Sequence, residues 1–374
     1  MDGMAGTLPV EIGLLTHIEY LELAHDGLWG TLPAEIGNLS KLVVLNLEQN
    51  SLTGNIPDTF RSLSNLSNIR ITDGGLSGTI PEWIGEAWTM LTELALTNNV
   101  LTGTIPTLLS QLTSLKLLAL DGNYLSGDLA AVENLVNLRY LYLESNQFEQ
   151  MIDGTFLDRF SILEHLDISN NQFIGSVPVH LMELESLLVM DVSQNQLETF
   201  VDEISEGSKL EFLAIHQNPF AGDTFPSSVA YLTNLAHLDI TSTAFIGTMP
   251  EWLSDLSLLR YLFMAETTFD VGTIPERFQN LQNLKDLSLK HSNRNGTIPS
   301  WFEDLDELVL LDLDNNELTG EIPYALTDML NLKFLLLNRN QLQGSLPVEF
   351  IGGDKCKSIL LFCFERISII TKLT

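Results

Sequence analysis

The chain has 374 residues, of which 45% are apolar and 8% aromatic, so it can bury an extensive core and is not a disordered polar segment. Acidic residues outnumber basic ones 49 to 18, giving a formal charge of −31. This excess of negative charge repels phosphate backbones and anionic lipids, so we expect no binding to nucleic acid and no docking on a membrane surface.

The N-terminal residues 1–9 contain no basic segment followed by an apolar core, so they do not form a signal peptide. The sequence lacks an uninterrupted apolar run of about 18 residues, so we expect no membrane insertion within this chain. The two cysteines, Cys356 and Cys363, both lie close to the C-terminal end. We therefore expect no disulfide framework and no cysteine metal site in the body of the chain.

From residue 6 onward the sequence is dominated by one motif, L-x-x-L-x-L-x-x-N-x-L-x-G-x-I-P, which returns every 23 to 25 residues. Fourteen copies, called repeats 1 to 14 below, follow the tail of an earlier copy at Gly6. They open at Ile18, Leu42, Leu66, Leu91, Leu115, Leu138, Leu163, Leu187, Leu210, Leu235, Leu259, Leu284, Leu308 and Leu332.

Each motif position has a physical role. The L-x-L pair alternates with period two, which predicts a short strand with one buried face, and stacked copies predict a parallel sheet. The asparagine lies where the chain leaves the strand, and its amide can pair backbone groups that a buried turn would leave unsatisfied. Glycine permits the following bend, and proline fixes an extended backbone before about one or two helical turns on the outer side.

The L-x-G-x-I-P signature resembles the plant-type leucine-rich repeat, found in receptor-like kinase ectodomains and polygalacturonase-inhibiting proteins. The resemblance covers residues 5–350 and implies an α/β repeat fold. That fold is a right-handed leucine-rich-repeat solenoid with a parallel concave sheet and short helical or irregular convex segments. It also implies a non-enzymatic recognition module, located outside the cell or at the cell surface, that binds a protein, peptide or glycan on the concave face.

Two features depart from this family pattern. The cysteine-bearing cap usual in such ectodomains does not precede Gly6, so we expect the chain to be an incomplete gene model or a fragment. Residues 351–374 lose the repeat register and are apolar and basic, and we expect this C-terminal tail to be foreign to the native coding sequence.

A cluster of aromatic and charged residues points outward from the predicted strands of repeats 6 to 11. Exposed aromatic side chains bordered by charge are typical of a hot spot for protein or peptide binding. The alternative interpretation is that neighbouring rings simply stack along the sheet and cover one another. The predicted ligand-binding residues are Tyr140, Tyr142, His165, Asp167, Asp191, Phe212, His216, His237, Asp239, Tyr261 and Phe263.

Rows of outward acidic residues, such as Glu93, Asp121 and Glu144, would repel one another unless screened or ligated. One alternative is therefore an acidic adhesion protein that depends on calcium; the other is solvated charge. Asp312, Asp314 and Asn316 imitate the start of an EF-hand, but Glu317 stands where that loop requires glycine. The repeat motif explains these residues, and we expect no metal site and no cofactor.

No catalytic motif of a metalloprotease, serine hydrolase, phosphate-binding loop or kinase occurs in the sequence, so we expect no enzyme within these residues. Glycosylation sequons occur at Asn38, Asn65 and Asn295, a number that chance can supply. A second functional hypothesis is that the chain is the sensor ectodomain of a receptor-like kinase whose membrane span and kinase domain lie outside it.

Overall fold

The computed structural model describes residues 6–153, 157, 159–220 and 222–347, together with the backbone of residues 360–362. The chain divides into two compact units, Met1–Gln196 and Leu197–Thr374, and each is described by itself. The two cysteines, and the tail of residues 351–374 apart from the backbone of residues 360–362, lie outside the described residues.

The first unit contains one main-sheet strand per repeat, and consecutive strands pair in parallel and in register. These strands are Tyr20–Glu22, Val44–Asn46, Asn68–Arg70, Glu93–Ala95, Leu117–Ala119, Tyr140–Tyr142, His165–Asp167 and Val189–Asp191. They correspond to the L-x-L segments, so the predicted parallel sheet is confirmed for this unit.

The L-x-G segments of the first unit form further parallel strands, which the repeat pattern alone did not predict. They are Trp29–Thr31, Ser51–Gly54, Gly75–Gly78, Val100–Thr104, Tyr124–Gly127, Gln147–Phe148, Met151–Ile152 and Ile174–Ser176, and another strand, Gln196–Thr199, begins at the last residue of this unit. One-turn helices follow the prolines: the 3-10 helices Val10–Leu14, Ala34–Asn38, Asp58–Ser62, Thr107–Gln111 and Val179–Glu183, and the α-helix Ile84–Ala87.

The second unit has the same organisation. Its main-sheet strands are Phe212–Ala214, His237–Asp239, Tyr261–Phe263, Asp286–Ser288, Leu310–Asp312, Phe334–Leu336 and Leu360–Phe362, paired in parallel. Further strands are Asn295–Thr297, Glu317–Gly320 and Gln341–Leu342. Its 3-10 helices are Ser227–Tyr231, Glu251–Asp255, Glu276–Asn280, Ser300–Asp304 and Tyr324–Asp328.

The consensus leucines form the core of each unit. In repeat 2, Leu42, Leu45 and Leu47 are completely buried, and Leu213 in repeat 9 is buried as its motif position predicts. The burial of several aliphatic side chains per repeat, each contributing about 1.5–3 kcal/mol, holds neighbouring repeats together.

The consensus asparagines form the predicted ladder of hydrogen bonds. The Oδ1 atom of Asn50 accepts a hydrogen bond of 2.9 Å from the backbone N–H of Leu28 in the preceding repeat. Its Nδ2 atom donates to the carbonyl oxygens of Leu23, at 2.7 Å, and Leu47, at 3.0 Å. The same cross-repeat pattern holds at Asn99, Asn123, Asn146, Asn171, Asn195, Asn316 and Asn340.

The residue before the asparagine position adopts a left-handed backbone in every repeat, a feature that the motif letters do not encode. Gln49 has φ 52° and Asn98 has φ 54°. This conformation costs about 1–2 kcal/mol for a residue other than glycine. It directs the N–H of Asn98 to the carbonyl of Asp121 in the next repeat, at 2.8 Å, so a cross-repeat hydrogen bond offsets the cost.

Candidate functional site

The outward side chains of the main-sheet strands form a surface that we call the strand face of each unit. Alternation along a strand places Leu141 in the core and its neighbours Tyr140 and Tyr142 on the strand face, half-buried. Parallel register then places Tyr140 beside His165, and Tyr142 beside Asp167. Asp191 pairs with Asp167 on the next strand, so the structure brings these five predicted residues of the first unit together.

The aromatic rings in this group touch one another. The ring of Tyr140 lies 5.2 Å from that of His165 and stacks at 6.4 Å on that of Tyr142. The Tyr140 hydroxyl donates a hydrogen bond of 2.6 Å to Glu164, which also pairs with Arg139 at 2.9 Å. The hydrogen bond to Glu164 raises the pKa of Tyr140.

The second unit gathers the other six predicted residues. His237 stacks on Phe212 at 4.2 Å and contacts Tyr261 at 5.6 Å and Phe263 at 5.5 Å. Burial lowers the pKa of His237; the charge of Asp239 opposes that shift, and His216 adds to it. Burial of His237 therefore favours its neutral imidazole over the charged form.

In both units the rings cover part of one another and remain half-exposed. The packing interpretation and the binding interpretation are thus compatible, and the ligand-binding role of these residues stays a prediction.

The predicted aspartates have a structural task as well. Asp167 accepts hydrogen bonds from the backbone N–H of Ser169, at 3.0 Å, and from its hydroxyl, at 2.7 Å. Asp191 accepts the same two bonds from Ser193, and Asp239 accepts one from the N–H of Thr241 at 2.8 Å. Each carboxylate therefore fixes the turn that ends its strand.

Not every outward position of the main-sheet strands is exposed. Several small residues that alternation places on the strand face are at most 8% exposed. Longer side chains on the same face cover them, because a methyl or hydroxymethyl group does not reach above its neighbours. The residues are Thr72, Ala95, Ala119, Ser169, Ser193, Ala214, Ala265 and Ser288.

The small residues Ala95 and Ala119 create a trough in the strand face of the first unit. The trough has a volume of about 510 Å³, and these alanines line it together with Leu117. Polar residues of repeats 1 to 7 also line it: His25, Glu48, Gln49, Arg70, Thr72, Asp73, Thr97, Asn98, Asp121, Tyr142, Glu144 and Asp167.

At one end of the trough an arginine offsets part of the negative charge. Arg70 forms ion pairs with Glu93, at 2.7 Å, and with Glu48, at 3.5 Å. The hydrogen bond with Glu93 is the main cause of the raised pKa of Arg70. Burial alone would raise the pKa of Glu93, but hydrogen bonds from Arg70 and Asn68 bring it below its usual value.

The other end holds three carboxylates that we call the acidic cluster: Asp121, Glu144 and Asp167. Burial is the main cause of a raised pKa in all three. Repulsion from Asp167 adds to the effect on Asp121 and Glu144. Among the described residues no lysine or arginine forms an ion pair with any of them, so the ionised cluster is held at a cost.

Tyr142 lies beside the acidic cluster, and burial raises the pKa of its hydroxyl, with further contributions from Tyr140, Asp167 and Asp121. Among the residues that line the trough, only Tyr142 and Asp167 were predicted from the sequence as binding residues. The signal that could have revealed the trough is alanine at the same outward position of repeats 4 and 5, Ala95 and Ala119.

Within the described residues there is no group of three or more histidine, cysteine, aspartate or glutamate side chains placed to hold a metal ion. None of the described helices is long and apolar enough to cross a membrane.

Comparison with known proteins agrees with the repeat motif. A family model described as leucine rich repeat matches residues 89–148 and 136–197, and a second model of that description matches residues 41–63 and 307–329. The chain therefore contains leucine-rich repeats, and both the predicted resemblance to this family and the solenoid fold are confirmed.

Its relatives include plant receptor-like proteins. Receptor-like protein 41 of Arabidopsis thaliana is 30% identical over 163 residues, which are 42% of this chain and 18% of that protein. Receptor-like protein 39 of the same plant is 31% identical over 170 residues, 44% of this chain and 19% of that protein. The match thus spans about a fifth of the length of these relatives.

Solved structures extend the likeness over most of the chain. The plant peptide hormone receptor RGFR1, in complex with RGF2, gives a TM-score of 0.78 at 27% identity, covering 96% of this chain and 64% of that one. A TDR receptor gives 0.76 at 29% identity, with 92% and 64% covered. The leucine-rich-repeat protein LIC12759 of Leptospira interrogans gives 0.73 at 28% identity, with 90% and 88% covered.

Proposed function

We propose that the chain is a non-enzymatic recognition module that binds a protein or peptide on its strand face. The observation that carries this proposal is the half-exposed layer of aromatic and acidic side chains, held in register above a floor of buried leucines. Such a layer is ordered before binding, which reduces the conformational entropy lost in a complex. The likeness to the plant peptide hormone receptor RGFR1, whose structure is a complex with RGF2, supports a peptide or protein over a glycan.

The chemistry of the trough supports binding rather than catalysis. The hydroxyl groups of Thr72 and Thr97 donate to Asp73 and Asp121, at 2.9 Å each. Both hydroxyls donate to carboxylates rather than to the trough's histidine, His25, so the trough lacks a hydroxyl–histidine pair of the kind that activates many nucleophiles.

The proposal is tested with a displayed library of random peptides and the immobilised full chain. Tyr142→Ala in the first unit and Phe263→Ala in the second should each reduce retention of the enriched peptides. The control, Tyr324→Ala, removes an exposed ring from a 3-10 helix away from the strand face and should leave retention unchanged. Failure to enrich any peptide, or equal losses in all three variants, would refute recognition by the strand face.

We also propose that the chain acts outside the cell or at the cell surface, as the sensor part of a receptor-like protein or receptor kinase. Asn38, in a sequon, is exposed at the end of the 3-10 helix Ala34–Asn38, whereas the Asn65 amide donates to the Ser40 carbonyl at 2.8 Å. In its native host the chain should carry a glycan that an endoglycosidase removes and that Asn38→Gln reduces. A chain without glycan and confined to the cytosol would contradict this location.

A further inference from the structure

The two ends of the trough differ in how their charge is balanced. Arg70 offsets one of the two negative charges of Glu48 and Glu93. The acidic cluster carries up to three negative charges, with Asp121 and Asp167 half-buried and Glu144 exposed, and no lysine or arginine among the described residues forms an ion pair with it. A cation from outside the chain would therefore be attracted more strongly to the acidic cluster than to the end with Arg70.

The parallel register fixes the layout of that end. Ala119, Tyr142 and Asp167 lie side by side on consecutive strands, and Asp121 and Glu144 lie two residues further along theirs. The small side chain of Ala119 leaves open space next to the ring of Tyr142, with carboxylates on its other sides. The trough thus offers an aromatic ring and acidic groups around one recess.

The placement of the carboxylates favours an organic cation over a metal ion, because the described residues contain no group of three or more histidine, cysteine, aspartate or glutamate side chains placed to hold a metal. Neighbouring strands are about 4.8 Å apart, so a ligand with several separate donors can reach carboxylates on consecutive strands. A planar guanidinium has five donors, can pair with separate carboxylates and can stack on an aromatic ring. An ammonium group is a compact point charge and fits this layout less well.

We propose that the trough binds an extended basic segment of a protein or peptide, and that an arginine side chain of this segment lies between the ring of Tyr142 and the acidic cluster. This inference rests on the proposed function and adds the chemical class of the ligand and its place. The raised carboxyl pKa values agree with it, because a bound guanidinium relieves the burial and repulsion that cause them.

The experiment uses two peptide libraries with random flanks, one with arginine fixed at the centre and the other with citrulline, which has the same shape without the charge. Binding to the full wild-type chain is measured at equilibrium. We expect the pooled arginine peptides to bind about thirtyfold more tightly, the size of a hot-spot contact. A third library with lysine at the centre should show a smaller gain in affinity over the citrulline library.

The variant Asp121→Asn with Glu144→Gln should abolish the preference for arginine, while its melting temperature shows that it folds. The matched control, Glu276→Gln with Glu303→Gln, removes the same charge from exposed 3-10 helices of the second unit and should keep the preference. Equal losses in both variants would mean diffuse attraction and would overturn the inference.

The remaining outcomes separate the two proposals. Equal binding of arginine and citrulline peptides, with loss in Tyr142→Ala, would overturn the arginine site and leave recognition by the strand face standing. Binding of no peptide from any library would overturn both. Displacement of arginine peptides by calcium, beyond the effect of sodium chloride at the same ionic strength, would replace the arginine site by a metal site.

Discussion

At the residue scale, the acidic cluster shows that side chains can oppose the stability of the chain that carries them. Asp121 is surrounded by Thr97, Tyr142 and the carboxylates of Asp73, Glu144 and Asp167, and burial raises its pKa above the usual 3.8. The folded protein therefore keeps the carboxyl proton of Asp121 at a pH where the unfolded chain has lost it. Ionisation above that pKa costs folding free energy, and the cost disappears as the pH falls towards 3.8.

We predict that Asp121→Asn raises the melting temperature at about pH 7.5, by a degree or so, and that the gain vanishes near about pH 4. The amide oxygen can still accept the hydrogen bond from Thr97, so only the charge is removed. Thermal unfolding of both proteins at the two pH values tests this. Asp304→Asn, at an exposed site in the second unit, is the control, and a loss of stability in Asp121→Asn at pH 7.5 would contradict the prediction.

Arg294 is the residue that the repeat motif explains least, since it occupies a leucine position of repeat 12. It is 2% exposed, and burial lowers the pKa of its guanidinium to about 10. The Nε atom donates to the Ser292 carbonyl at 2.7 Å, Nη1 to that of Thr273 at 3.4 Å, and Nη2 to that of Asp270. These carbonyls lie near the isolated bridge between Gly272 and Arg294, which joins repeats 11 and 12 outside the main sheet.

We predict that Arg294→Lys destabilises the second unit by about 1–3 kcal/mol, because an ammonium on a shorter stem leaves at least one buried carbonyl without a donor. The free energy of unfolding from urea titration measures this. Arg260→Lys, an exposed site in the same unit, should change it by less than about 0.5 kcal/mol. Equal effects at both sites would show that the guanidinium has no special task.

At the scale of the element, the repeat is closed by two sets of asparagines, of which the sequence predicted one. The motif asparagines form the buried ladder. A second set stands just before the first leucine of several repeats and donates from Nδ2 to a carbonyl of the preceding repeat, at 2.7–2.8 Å. These residues are Asn65, Asn137, Asn234, Asn283 and Asn331.

We predict unequal costs for removing one asparagine from each set. Asn171 accepts from the N–H of Phe148 at 3.0 Å and donates to the Leu143 carbonyl at 2.9 Å, both in buried surroundings. Asn171→Ala should therefore cost about 2–4 kcal/mol, whereas the exposed Asn137→Ala should cost less than about 1 kcal/mol. Urea unfolding of the two variants measures these costs. Similar losses of unfolding free energy would show that the two sets of asparagines contribute equally.

The elements also show where sequence reasoning succeeds. Period-two leucines, asparagine and proline each impose a local requirement that the letters carry, so the main-sheet strands and the helices after proline were predictable. The left-handed residue at Gln49 or Asn98 was not, because the hydrogen bond that favours it comes from another repeat. The second set of strands was missed for the same reason: the L-x-G segment pairs only when repeats stack.

At the scale of the whole molecule, the candidate site arises because the buried leucines recur from repeat to repeat while the outward residues differ. Uniform leucines fix the backbone register, so variation at outward positions changes the strand face without changing the fold. The predicted aromatic residues could be read from their positions alone. The trough could not, because its depth depends on how the alanines of two strands compare in size with Arg70 and Tyr142 on either side.

The net charge of −31 also acts on the molecule as a whole. Carboxylates crowded into a folded chain repel one another more than in the expanded unfolded chain, so screening should favour folding. We predict that raising sodium chloride from about 10 mM to about 500 mM, which shortens the screening length from about 30 Å to a few ångströms, raises the melting temperature by several degrees.

Calcium chloride at matched ionic strength separates screening from binding. If the charge is only screened, calcium chloride should raise the melting temperature as much as sodium chloride does. A larger rise with calcium that Asp191→Asn with Asp239→Asn abolishes would instead support the calcium-dependent adhesion protein. A melting temperature that falls with sodium chloride would show that attractive ion pairs such as Arg70 with Glu93 outweigh the net repulsion.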